Sequence, residues 1–254
     1  MLPIRRAIGS SLVNDSNGRL IGRVFRDRIP HRGLVVDVSS PHVTARTKAR
    51  LLFRAYESAE YRFMRRYLPA DMDAVELGGS LGVMSCLIRR KLDPDHRLIV
   101  VEADPEIAGL LSGNLDVNNC SEGAIVENVA IAAEGRQKVR FEVGRASNAG
   151  RIADEPEAEG RFIEVAATTL SDLLRRHHVN RFSLMSDIEG AEWDLWRNEP
   201  DTLRRASWII IETHDHPQFG SSNELIADLA ADGGFKLVDR YGPVVALQNR
   251  NPGR

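Results

Sequence analysis

The sequence predicts an α/β domain built on a mostly parallel sheet, and three observations carry that expectation. From Asp73 onward short apolar runs alternate with helical patterns: AVEL then SLGVMSCLIRRKL, RLIVVEA then PEIAGLLSGNLDVN, then AIVENVAI. Such alternation marks parallel strands joined by helical crossovers. A glycine-rich turn, Glu76-Leu77-Gly78-Gly79-Ser80-Leu81-Gly82, lies where the first run passes into the first helical segment. Further on, SWIIIETH is the near-continuous apolar run of a central strand buried on both faces. The 254 residues, 43% hydrophobic and 28% charged, suit one such domain with embellishments.

Residues 1–68 read as a strand-rich and helical lead-in packed on the core, and residues 69–254 as the main domain. In the lead-in, LIGRVF and GLVVDVSS are β-type runs punctuated by IPHRG and SSPH. KARLLFRAYESAEYRFMRRYL then spaces Leu52, Phe53, Tyr56, Tyr61, Phe63, Met64 and Tyr67 with helical three- and four-residue steps, predicting one or two helices. Pro69 ends that pattern, because a residue before proline disfavours the α region. After the third strand, KVRFEV and RFIEVAA read as an inserted hairpin or edge pair, joined by the polar, acidic GRASNAGRIADEPEAEG. TTLSDLLRRHH is a helix with Thr168 or Thr169 as N-cap and Asp172 approximating a capping box. RFSLMSD resumes the sheet, AEWDLWRN is helical, and SNELIADLAADG is a helix stopped by Gly233. FKLVDR and PVVALQ close the chain as a hairpin about YGP.

A formal net charge of −2 points to no global field for nucleic acid or membrane. The balance is uneven, with ten Lys/Arg against three Asp in residues 1–50. This basic arm suits an anionic acceptor or a membrane surface, or is simply a solvated face. Cys86 and Cys120 form no disulfide framework and read as small buried thiols of a reducing compartment. No apolar run reaches the length of a membrane span and the N-terminus lacks a leader-like apolar core, so a cytoplasmic protein is expected.

The glycine turn asks for a cofactor. A nucleoside triphosphate loop needs a lysine after its last glycine, which is missing here. A dinucleotide fingerprint needs GxGxxG, and the glycines here fall at positions one, two and five. Glu76, immediately before the turn, would repel a pyrophosphate. S-adenosylmethionine carries an ammonium and a sulfonium and no phosphate, so its site welcomes carboxylates; Glu76, Gly78, Gly79, Ser80 and Gly82 are the candidates for holding it. Glu102, with Ala103 beside it, ends the second strand, where a carboxylate accepts hydrogen bonds from ribose hydroxyls. After the third strand, Asn128 and Val129 are placed to read an adenine edge. All these positions fall at the carboxyl ends of strands, where open α/β sheets bind ligands.

In this order and spacing, ELGGSLGVMSCLI, VVEADPE with GNLDVNN, ENVAI, TTLSDLL, SLMSDIEGAEWDLW and IIIETH resemble the FkbM family of S-adenosylmethionine-dependent methyltransferases, over roughly residues 55–215. The resemblance implies a class I methyltransferase (Rossmann-like) fold, a seven-stranded, mostly parallel sheet with helices on both faces, and usually oxygen methylation of sugars or secondary metabolites. It also implies that Glu76, Gly78 and Gly82 form the glycine-rich motif, Glu102 the ribose-binding acid, and Asp187, Glu189 and Gly190 the family's Asp-x-Glu-Gly turn. Gly79-Ser80 and Met185-Ser186 depart from the residues common in the family.

Methyl transfer to an alcohol needs alignment and a proton acceptor. His214 is the candidate base, since imidazole titrates near neutrality, with Asp187 or Glu189 orienting the acceptor or the cofactor's amine. Asp187 thus stands as a candidate for both catalysis and cofactor binding. IETHDHP also has the composition of a divalent metal site, with two His and several carboxylates, but exposed strand ends collect such residues without binding anything, and no metal is expected. Trp193 and Trp196 read as core packing, and His177 and His178 as cations at a helix C-terminus. Nucleobase amine methylation is disfavoured, because Ser186-Asp187-Ile188-Glu189 replaces the Asn/Asp-Pro-Pro-aromatic turn, and no RNA-binding signature is present. The expected partner is a small-molecule or glycan acceptor. The rivals are an NAD(P)-linked oxidoreductase and a cofactor-fold interaction module without turnover.

Overall fold

The computed structural model describes residues 12–144, 150–152 and 161–251. In chain order the lead-in forms α1 (Asp15–Phe25), β1 (Arg28–His31), β2 (Leu34–Asp37), α2 (Ala45–Leu52) and α3 (Ser58–Tyr67). The first half of the main domain follows with β3 (Ala74–Leu77), α4 (Val83–Arg89), β4 (Leu98–Val101), α5 (Pro105–Val117) and β5 (Ala124–Glu127). Next come β6 (Ala130–Ile131), β7 (Lys138–Val143), β8 (Arg151–Ile152), β9 (Arg161–Thr168) and α6 (Leu170–Arg176). The chain closes with β10 (Phe182–Ser186), α7 (Glu192–Asn198), α8 (Pro200–Leu203), β11 (Ala206–Glu212), α9 (Ser222–Ala231), β12 (Phe235–Tyr241) and β13 (Val244–Asn249).

LIGRVF, expected as a strand, is instead the second half of α1. Asn14 caps the helix by accepting from the Asn17 N–H at 2.9 Å, and Gly18, Ile21 and Gly22 fall on one buried face. Those three- and four-residue steps are the helical period. A Cβ on Gly18 would stand 1.7 Å from the Ala45 carbonyl oxygen, so glycine there lets α1 lie against the start of α2. The expected helical stretch after it is two helices, with Arg54 and Glu57 in left-handed conformation between them.

Seven strands form the main sheet in the order β12-β13-β11-β10-β3-β4-β5. β13 runs antiparallel to both neighbours and the rest are parallel, the architecture the resemblance implies. Because side chains alternate across a strand, one face carries Ala74, Val100, Met185 and Ile210 into a cluster with Ile29, Val36, Tyr56 and Phe63 of the lead-in. The other face carries Val75, Leu77, Ile99, Leu184 and Ile211 towards Leu173, Trp193, Trp196 and Leu225 on α6, α7 and α9. Each large apolar side chain so buried contributes about 1.5–3 kcal/mol. Lead-in and main domain are further tied by Asn114 on α5, whose side chain accepts from the Asp37 N–H at 2.7 Å and donates to the Asp37 and Leu81 carbonyls.

AIVENVAI, expected as one strand, is broken at Asn128. β5 ends at Glu127, and β6 turns away to pair in parallel with β9 in a second sheet of order β6-β9-β7-β8. KVRFEV and RFIEVAA pair antiparallel there as expected, with Phe141 opposite Ile163. Most of the segment joining them, residues 145–149 and 153–160, and residues 1–11 of the basic arm lie outside the described residues. Thr169 caps α6 by accepting from the Asp172 N–H, and the closing hairpin turns at Gly242, φ +63°.

Candidate active site

The glycine turn leaves β3 between two neighbours that dictate its composition. Gly78 has φ +85°, and a Cβ there would stand 1.9 Å from the Asp187 carbonyl oxygen. Gly82, at φ +74°, opens α4. Ser80 is itself left-handed, at φ +45°. It is held by its N–H donating to Glu102 Oε2 at 2.9 Å and by its hydroxyl 3.2 Å from that of Tyr56. The other Glu102 oxygen accepts from the Asp104 N–H at 2.9 Å. Burial pushes Glu102 up to about 7 despite these hydrogen bonds.

An open cleft of about 780 Å³ lies above these strand ends, lined by Gly78, Ser80, Glu102, Ala103, Val129, Asp187 and Glu189 among the expected residues. Ile107, Ile131, Phe141 and Ile152 supply an apolar wall, and His42 of the lead-in reaches its edge. Sequence reasoning missed these; the apolar alternation of KVRFEV was the signal for Phe141, and nothing local marked His42. Gly79 does not line the cleft. A Cβ there would lie 2.4 Å from Leu111 and Val100, so its role is close packing of the turn against α5 and β4. Gly82 and Asn128 are also absent from the lining. The Asn128 amide donates to the Glu102 and Ala103 carbonyls at 2.8 and 3.1 Å, which consumes both its hydrogens and fixes the strand end.

Beyond β10, Glu189 at φ +50° and Gly190 at φ +96° turn the chain so that Asp187 and Glu189 face His214, which follows β11. Each offers one ligand-type atom, all within 4.8 Å of one another. His214 Nδ1 donates to Glu192 Oε1 at 3.1 Å, and Nε2 lies 3.6 Å from Glu189 Oε2. Glu192, 1% exposed, also accepts from the Ile188 N–H; its position in the first turn of α7 was legible, but its role was missed. The hydrogen bond His214 donates to Glu192, with the nearby carboxylates, pushes His214 up to about 9, above the near-neutral value expected of it. Asp187 and Glu189 are both raised, chiefly by burial. His216 stays apart, stacked on Phe219 at 4.3 Å, and Asp215 is occupied with Ser222. The two histidines of IETHDHP therefore do not converge. Trp193 and Trp196 are buried as core, and His177 pairs with Glu127 at 2.7 Å.

Glu76 points into a second, smaller chamber that shares Gly78 and Asp187 with the cleft. It is 3% exposed, Oε2 has no partner, and burial pushes it up to about 8. An orphaned acceptor, apolar walls beside a backbone-anchored carboxylate and a glycine pressed against the next strand fit a cationic, phosphate-free nucleoside cofactor.

The profile of the FkbM methyltransferase domain matches residues 77–237, from the end of β3 into β12. No curated protein matches the chain. Among solved structures, the METTL16 methyltransferase domain superposes with a TM-score of 0.50 at 14% identity, over 93% of this chain and 80% of that one. The O-methyltransferase TomG from Streptomyces achromogenes, involved in tomaymycin synthesis and solved in complex with S-adenosylmethionine, gives 0.48 at 13% identity, over 97% and 96%. At such identity the likeness to METTL16 is one of fold alone. The family profile sets the nicotinamide rival aside: matched over more than half its length, the chain belongs to the FkbM family of S-adenosylmethionine-dependent methyltransferases.

Proposed function

We propose that the protein methylates a hydroxyl oxygen of a sugar, polysaccharide precursor or secondary metabolite. The observation that supports an oxygen acceptor is the Asp187, Glu189 and His214 cluster at the edge of the cleft. A hydroxyl must lose its proton as it reacts, and a positioned base contributes typically about 10²–10⁴-fold to that step.

When bound, S-adenosylmethionine supplies an electrophilic methyl on a sulfonium. Glu102 has lone-pair capacity left for ribose hydroxyls beyond the Ser80 and Asp104 N–H groups it accepts. Ala103 and Val129 wall the adenosine side of the cleft, and Asn128 shapes that wall through the carbonyls it holds. Gly78 and Ser80 present open backbone, and Glu76 and Asp187 complement positive charge. Glu189 lines the cleft and is raised by burial, which moves it towards the range useful for a general base. His214, held as a cation by Glu192, orients that carboxylate and takes the hydroxyl proton only in exchange for the one it carries.

The test is transfer of isotopically labelled methyl from S-adenosylmethionine to a panel of sugars, sugar conjugates, phenols, amines and RNA, with products located by mass spectrometry. Label in a base-stable ether on a sugar or metabolite hydroxyl is expected. Label on nitrogen or RNA overturns the oxygen reading, and cofactor binding without transfer to any acceptor favours a module without turnover.

A further inference from the structure

The smaller chamber is faced by five carboxyl side chains, Glu57, Glu60, Glu76, Asp187 and Glu212. Met84, Met185 and Ile210 are among its apolar lining, and its described lining contains no lysine, arginine or histidine. Burying an unpaired carboxylate costs several kcal/mol, roughly, so packing alone would favour apolar residues here. Glu57 Oε2, Glu76 Oε2 and Asp187 Oδ1 are shielded from water without a hydrogen-bond partner. Glu57 is also held in left-handed conformation, φ +43°, a strained state for a non-glycine residue. Glu76, on the same sheet face as Met185 and Ile210, is 3% exposed and its Oε2 has no partner. Native structures rarely leave such groups unsatisfied.

The chamber's free space takes about one water-sized group, which is the size of an ammonium head, so the rest of a ligand must lie outside it. Among the described residues, the group within metal-binding distance is Asp187, Glu189 and His214, of which only Asp187 lines the chamber. Glu60 and Glu212 are in hydrogen-bond contact with each other, and the other chamber acids face the same space without closing to metal-binding distance. Carboxylates spread around an apolar floor suit an organic ammonium, whereas a divalent ion wants its oxygen ligands converging at about 2.0–2.6 Å. Burial and the neighbouring carboxyls raise Glu57 and Glu60, against a smaller opposing pull of Arg50 on Glu60.

We infer that this chamber receives a protonated amine of the methyl acceptor, making the acceptor an amino sugar, amino alcohol or aminocyclitol whose ammonium is held by Glu57, Glu60 and Glu212. This rests on the proposed oxygen methylation. Asp187 stands at the junction of both cavities and serves either the acceptor or the cofactor's own ammonium, while Glu57, Glu60 and Glu212 border the chamber and not the cleft.

The experiment uses protein saturated with S-adenosylhomocysteine. Amino sugars, amino alcohols and aminocyclitols, each paired with its N-acetyl derivative, are titrated by ligand-observed NMR and calorimetry. At least one amine is expected to bind tenfold or more tightly than its acetylated partner, and Glu60→Gln is expected to remove that preference while S-adenosylhomocysteine affinity stays within twofold. Glu212→Gln repeats the measurement should the first variant misfold. Absence of preference for any amine, or a preference both variants retain, overturns the inference. So does weakened S-adenosylhomocysteine binding in both variants with no amine bound, which would give the chamber to the cofactor's ammonium. Failure of the unaltered protein to bind S-adenosylhomocysteine is a separate result, and removes the functional proposal instead.

Discussion

The carbonyl oxygen of Asp187 lies 1.9 Å from the point a Cβ would occupy on Gly78, so the glycine turn after β3 and the Asp-x-Glu-Gly turn after β10 are pressed together backbone to backbone. A methyl group at Gly78 must push the two strand ends apart, and it adds left-handed strain of about 1–2 kcal/mol. Gly78→Ala is expected to lower Tm by several degrees and to abolish S-adenosylhomocysteine binding. Gly113→Ala is the control. It lies in α5 with nothing within 4 Å of the added Cβ, and the gain in helix propensity, about 0.5–1 kcal/mol, should leave binding intact and raise stability.

Glu102 joins the same turn to the end of β4 by accepting the Ser80 and Asp104 N–H groups. Glu102→Gln keeps the shape but aims an amide NH₂ at one of these donors and removes the charge. Hydrogen bonds to a charged group are worth about 1.5–3 kcal/mol, so S-adenosylhomocysteine affinity should fall about 10- to 100-fold by calorimetry. An unchanged affinity would show that the nucleoside does not sit against this carboxylate.

Two buried acids make cofactor binding a proton-coupled event. Glu102 is pushed up to about 7 and Glu76 to about 8, so both are partly protonated near neutrality in the free protein. A cationic cofactor favours their ionised forms, and binding should release protons between about pH 6 and 8 and tighten as pH rises. Calorimetry in two buffers of different ionisation enthalpy reads the proton count directly. The stability effect has the opposite sense, because acids raised by burial bind more protons folded than unfolded. Their contribution falls as pH rises from about 4.5 through 7 to 8, so Tm of the free protein should decline over that interval.

The sheet was legible because its signal is local: apolar runs at β3, β4, β10 and β11 are bounded by helical periods, and Glu102 and Asp187 stand at strand ends that chain order alone places together. α1 was not, because Leu20, Ile21, Val24 and Phe25 read equally as a strand until Gly18 and Gly22 are seen packed on α2. Asn128 looked like a ligand contact, and only the structure shows its amide spent on backbone carbonyls. Glu57 and Glu60 were invisible as site residues because tertiary packing of α3, on β11 and β13, carries them to Glu76. The titration of His214 was misjudged for a similar reason, since Glu192 reaches it from a different element.

That last pair gives a prediction on pH. Glu192 and its neighbours hold His214 up to about 9, above the ordinary value of about 6.5. A histidine raised on folding adds stability that is complete below about pH 6.5 and is lost as pH rises through about 9. Glu192→Gln removes the charged acceptor and should bring the His214 titration down towards neutrality, visible as a shifted ring-proton transition by NMR. If His214 orients Glu189 as a cation, that variant should lower kcat while leaving S-adenosylhomocysteine affinity nearly unchanged, and unaltered enzyme should lose activity above about pH 9. If His214 is instead the base, the variant gains activity near neutrality because more of the imidazole is free to accept a proton. The direction of the change therefore separates the two roles, and an NMR titration of His214 unaffected by Glu192→Gln would refute the coupling itself.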